Sequence, residues 1–128
     1  MSRVMLVLVL LGVLAAVTQA LALDNPVVTI PKEGAALGPN YDVVGTMPSK
    51  AFMIVMTDVV RTDTNEVLRS VPGIRHWTAD DGSFHFRAAS PRVSIGEKDM
   101  PLLYRVRVFT MANGEQGPET VVNCTMAQ

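Results

Sequence analysis

The chain is poor in the residues from which reactive sites are usually built. It has one cysteine, Cys124, and two histidines in 128 residues. No intrachain disulfide can form, so an exported domain of this size would have to rely on packing alone. Aromatic residues make up 5% of the chain and the formal charge is −1. There is no basic excess or stripe of the kind a nucleic-acid binder carries, and no acidic tail or heptad repeat. A glycine-rich phosphate loop, a serine elbow and an Asp-x-Asp-x-Asp-Gly calcium loop are all missing. These absences argue against an enzyme and against any cofactor. They leave binding or structural work.

The chain does have one long apolar run, at its start. Met1 to Ala22 holds 17 apolar residues and a single charge, Arg3. A positive start, an apolar stretch from Val4 to Val17 and the small-x-small pattern Ala20-Leu21-Ala22 match a secretory leader, with a second cut site after Ala20. The expectation is a helical signal peptide over residues 1–22 and a single domain over 23–128, exported to the periplasm or beyond the cell, with no membrane insertion after cleavage. The alternative is an uncleaved anchor, because the run stretches to 19 residues if Thr18 and Gln19 are included. The remaining 106 residues hold ten positive and twelve negative side chains. That is enough for one ordinary core.

Eight prolines and nine glycines divide the chain into short β-rich runs, with no sustained helical stripe between them. Strands are expected at Val27–Ile30, Tyr41–Met47, Ala51–Val60, Glu66–Val71, Ile74–Thr78, Ser83–Arg87, Leu102–Thr110 and Glu119–Cys124. Asp80-Asp81-Gly82 is a tight-turn signal, Gly82 supplying the positive φ. In Leu102–Thr110, Tyr104, Val106 and Val108 point one way while Arg105, Arg107 and Phe109 point the other. The pattern predicts an all-β, antiparallel two-sheet sandwich of seven to eight strands, with a small Greek-key barrel as the runner-up.

Two stretches resemble known families. Leu103-Tyr104-Arg105-Val106-Arg107-Val108 followed by Ala112-Asn113-Gly114-Glu115-Gln116-Gly117-Pro118-Glu119-Thr120 is similar to the last two strands of a fibronectin type III domain. Ile30-Pro31-Lys32-Glu33-Gly34-Ala35, Tyr41-Asp42-Val43-Val44-Gly45-Thr46 and Thr78 to Phe84 resemble bacterial immunoglobulin-like modules. The likeness spans about residues 27–124. It implies an immunoglobulin-like sandwich with Tyr104 at a tyrosine corner, its hydroxyl bonded to nearby backbone. The chain departs from the first family in having no tryptophan on the second strand, since Trp77 comes much later. It departs from antibody domains in lacking the cysteine pair.

The third and penultimate strands are expected to be neighbours. Either the Phe52-Ile54-Met56 row or the Met53-Val55 row is expected in the core and the other outside. With Met53 and Val55 outward beside Arg105, Arg107 and Phe109, the two strands would form an apolar stripe flanked by two guanidinium groups, the composition of an interface core. The expected function is a non-catalytic exported binding or assembly module whose outer sheet face meets a protein partner or a second copy of the chain. The alternative is a structural envelope domain with no selective ligand. A third reading is a weak metal site formed by His76 and His85, which flank the Asp80-Asp81 turn.

Overall fold

The computed structural model describes residues 24–127. The leader expected over residues 1–22 lies outside them. Among the described residues no helix is long and apolar enough to cross a membrane. The strands are β1 Val27–Ile30, β2 Ala36–Leu37, β3 Asn40–Thr46, β4 Phe52–Arg61, β5 Glu66–Trp77, β6 Ser83–Ala89, β7 Leu102–Ala112, β8 Glu115–Gln116 and β9 Thr120–Met126. A single turn of 3-10 helix, Ile95–Glu97, precedes β7. The strands form two sheets, ordered β1-β3-β6 and β2-β9-β7-β4-β5, with β8 paired to β7. The all-β, two-sheet expectation therefore holds.

The core lies between the sheets and follows the period-2 alternation of the sequence. Tyr41 and Val43 of β3 and Phe84, Phe86 and Ala88 of β6 face Met53, Val55 and Val59 of β4, Tyr104, Val106 and Val108 of β7, and Val122 and Cys124 of β9. Two tyrosine hydroxyls at this core are bonded, whereas the Thr110 hydroxyl, 3% exposed in the same row of β7, has no partner among the described residues. The Tyr41 hydroxyl shares a hydrogen bond with Thr57 Oγ1, and burial pushes the Tyr41 phenol up to about 12. Tyr104 donates its hydroxyl to the carbonyl of Pro91 at 2.9 Å, tying the β6–β7 connection to β7. Tyr104→Phe removes that donor and leaves the carbonyl unpaired, with an expected loss of about 1 kcal/mol in urea unfolding.

Three details differ from the sequence-based expectation. The fourth and fifth strands are one strand, β5, running through Pro72-Gly73. Opposite Val55 and Met56 the register passes from Ile74 to Pro72, leaving Gly73 extra; opposite Val59 and Val60 it passes from Arg69 to Val67, leaving Leu68 extra. Two bulges on an edge strand accommodate a proline that would break a central one. The sheets are also not wholly antiparallel, because β2 crosses to the larger sheet and pairs parallel with β9, Ala36 beside Thr125. Finally, the inward row of β4 is Met53, Val55 and Val59, all at 0% exposure.

The β6–β7 connection is held by ions. Arg69 donates from Nη2 to both Glu97 carboxylate oxygens at 2.6 and 2.7 Å, and the Ser94 amide and hydroxyl donate to the same carboxylate at 2.9 and 2.8 Å. Arg69 first, then Ser94, hold the Glu97 carboxyl down to about 2 from an ordinary 4.5. A folded-state value below the unfolded one means that this contribution is complete above the unfolded value and is lost as pH falls through the folded one. Between about pH 4.5 and about pH 2 the turn is expected to loosen. Glu97→Gln should remove that pH dependence from the amide shifts of residues 94–97, as read by NMR.

Candidate functional site

The outer face of the six-stranded sheet is built on β4, which lies between β5 and β7. Its outer row is Phe52, Ile54, Met56, Asp58 and Val60. The register sets Ile54 between Arg75 and Phe109, Met56 between Pro72 and Arg107, and Asp58 between Ser70 and Arg105. Asp58 is 2% exposed, an unusual position for a carboxylate on a sheet's outer surface. Arg107 compensates it from two residue pairs along the ladder, on the same face. Nε donates to Oδ2 at 2.8 Å and Nη2 to Oδ1 at 3.1 Å, while the Ser70 hydroxyl donates to Oδ1 at 2.6 Å. The bidentate pair is the strong form of the interaction. It raises the Arg107 guanidinium above its ordinary value, chiefly through the hydrogen bonds to Asp58. Nη1 of Arg107 also lies 3.6 Å from Glu119 Oε2, and Nη2 is 3.6 Å from the Met56 sulfur.

Met56 and Val121 are the apolar neighbours of this pair in the ladder, and an aromatic group lies at the far end of the same face, six residues along β4. Phe52 packs edge-on against Trp77 with ring centroids 5.5 Å apart, and Lys50 Nζ stands 5.6 Å from the centre of the Trp77 ring. Trp77 is 54% exposed and Val121 40%. Among the described residues neither Arg75 nor Arg105 meets a carboxylate. Arg105 donates to the Asn65 side-chain oxygen at 2.9 Å. The result is a polar centre neutralised from within, a partly apolar surround and unpaired cations further out.

The expected stripe needs correction at three of its five positions. Met53 and Val55 lie in the core, because β4 turns its Phe52-Ile54-Met56 row outward. Phe109 belongs to the outer row but is 4% exposed, covered among its neighbours and not displayed. Arg105 and Arg107 do lie on this face. Gly82 has φ +89° in the turn before β6, where the Asp81 carboxylate accepts the Ser83 amide at 2.9 Å. Asp58, Ser70 and Trp77 complete the face and are not among the residues the sequence assigns to it, while Phe52 belongs to the row that the sequence leaves as the alternative outward one. The signal for Asp58 was one charge inside the apolar run Ala51–Val60, in the same alternating row as Ile54 and Met56.

The other candidate chemistries are separated in space. His76 lies on the inner side of β5, its Nδ1 2.9 Å from the Trp77 carbonyl, with the imidazole 6.2 Å from the Phe86 ring. His85 lies on the outer side of β6, Nε2 3.3 Å from Asp42. His76 faces inward from the larger sheet and His85 outward from the smaller one, though both border the open flank between β5 and β6, and no group of three metal-ligating side chains occurs among the described residues. Cys124 is 2% exposed, and burial pushes its thiol up to about 11, far from the thiolate that nucleophilic chemistry needs.

No protein-family model and no curated protein matches the chain. Among solved structures there is a likeness to the Pseudomonas fluorescens alkylpurine DNA glycosylase AlkC bound to DNA containing an abasic-site analogue, at 12% identity and a TM-score of 0.31. It covers 81% of this chain and 30% of that one, so the chain spans under a third of that protein. A similarity this slight carries no weight for fold or function.

Proposed function

We propose that the protein is a non-catalytic exported module of immunoglobulin-like type, and that the outer face of its six-stranded sheet binds a protein. The single observation that carries the binding reading is the arrangement around Asp58 and Arg107. A bidentate ion pair with a buried carboxylate sits beside Met56 and Val121, and the same face carries Phe52 and the strongly exposed Trp77 at its far end, six residues along β4. Aromatic, methionine and arginine side chains around a desolvated centre have the composition of binding hot spots. The immunoglobulin-like assignment is supported by the pairing of a three-stranded with a six-stranded sheet and by the Tyr104 hydroxyl bond to Pro91, both of which suit that architecture. Export rests on the leader read at residues 1–22.

The partner fits best as a protein surface with an apolar centre and an acidic margin. Arg107 is already compensated by Asp58 and Glu119, whereas Arg75 and Arg105 stand without carboxylates among the described residues. A second copy would set those cations against their own kind, which disfavours association. A photo-crosslinking residue at Val121, in cells making the full chain, is expected to give one discrete adduct of higher mass. Arg105→Glu should reduce that adduct about tenfold, and the same crosslinker at Thr29, on the smaller sheet, should not give it. An identical product from both positions, or none from Val121, would leave the structural-domain reading standing. An adduct of twice the chain's mass, matched by a dimer in light scattering, would replace the separate partner with a second copy.

A further inference from the structure

We propose that the free edge of β6 is a strand-addition site, taking an extended peptide that alternates apolar and acidic residues. A strand at the edge of a sheet presents unpaired N–H and C=O groups, and folded proteins usually blunt such edges. Among the described residues five strands have a free edge, and four carry a recognisable obstruction. β5 is interrupted by Pro72 and by two bulges. β1 is four residues long, irregular between Val28 and Ile30, and stopped by Pro31. β2 and β8 are two residues long each. β6 has none of these. Its seven residues pair with β3 in unbroken register from Asn40 opposite Ala89 to Thr46 opposite Ser83. It contains no proline, and its inward side chains Phe84, Phe86 and Ala88 carry no charge.

Space lies beside this edge as well. An open cleft of about 760 Å³ runs along the β5–β6 flank, lined on its inner side by Ile74, His76, Phe84 and Phe86 and continuing round the edge to Val44, His85 and Arg87 on the outer side of the smaller sheet. An added strand bonded to β6 would project every second side chain into this cleft, where apolar groups would meet Ile74 and Phe86. Its intervening side chains would lie on the outer face beside His85 and Arg87. Arg87 is held at one point, Nη1 to Asp42 Oδ1 at 3.2 Å, and its side chain is 63% exposed. The guanidinium has donors to spare for a carboxylate on the incoming strand and repels a lysine there. Main-chain hydrogen bonds would supply affinity, and the cleft together with Arg87 would supply the pattern.

The test uses the full chain and a fluorescein-labelled peptide of seven alternating valines and glutamates. Binding is expected by fluorescence anisotropy, with hydrogen-exchange protection gained in residues 84–89. N-methylation of alternate peptide residues, on whichever set bonds β6, should weaken binding at least tenfold. Arg87→Glu should reverse the preference, favouring an alternating valine–lysine peptide over the glutamate one. The proposal is overturned if neither peptide binds, if N-methylation of either set is without effect, or if the protected amides fall in β5 or on the outer face of the larger sheet. It is also overturned if β6 gains protection with rising protein concentration alone, because the occupant is then a second copy. None of these readings depends on the Val121 crosslink, so the two surfaces succeed or fail separately.

Discussion

Replacing Arg107 with methionine is expected to destabilise the fold by about 3 kcal/mol, the cost of leaving a buried charge without its partner. Asp58 would keep only the Ser70 hydroxyl, at 2% exposure. The converse change, Asp58→Leu, should cost less, about 1–2 kcal/mol, because the Arg107 side chain is 23% exposed and still has Glu119 at 3.6 Å. The double variant should return to within about 1 kcal/mol of the parent, since replacing both members of a buried pair by apolar groups of similar size is close to neutral. Urea unfolding of all four proteins gives the coupling directly. If the two single losses simply add, the pair does not stabilise the sheet in the way described.

Gly82→Ala is expected to cost about 3 kcal/mol or more, from an unfavourable backbone region and from overpacking together. Gly82 has φ +89°, and a Cβ there would lie 2.0 Å from the Met47 carbonyl oxygen and 2.8 Å from its carbon. That carbonyl belongs to backbone, so no side-chain rotation relieves the contact. The same turn holds the two chain segments together, the Met47 amide donating to the Gly82 carbonyl at 2.8 Å. Gly114→Ala is the control, with φ +77° but nothing within 4 Å of the added carbon. It should lose only the backbone part, about 1 kcal/mol. Thermal or urea unfolding of the pair separates strain from collision; equal losses would mean that the collision contributes nothing.

What the sequence made legible is what depends on neighbours along the chain. Tyr104, Val106 and Val108 alternate with two arginines, so their inward row in β7 could be read directly. The Asp80-Asp81-Gly82 turn announced itself through the residue types such turns require. β4 offered no comparable contrast over Phe52–Met56, where both rows are apolar, and an alternation rule cannot choose between two apolar rows. Asp58, in the outer row, was the one residue able to break the tie. Its buried position, however, depends on Arg107, 49 positions away, and that register is set by strand pairing across the sheet. Pro72-Gly73 reads locally as a stop, yet here it is a bulge, because an edge strand needs hydrogen bonds on one side only. The crossing of β2 to lie beside β9 likewise rests on contacts about 90 residues apart in sequence, such as the Thr125 amide donating to the Ala35 carbonyl at 2.9 Å.

Cys124 gives the molecule a built-in reporter. Its sulfur is enclosed between the sheets, 3.9 Å from the Lys32 carbonyl, and it is the sole thiol in the chain. An alkylating reagent in solution can reach it only when the terminal strand lifts from Tyr104 or the sheets separate. The rate of covalent labelling therefore measures how often the closed form breathes, without a fluorophore or an engineered residue. The uniqueness of the thiol makes every modified molecule a count of one opening event.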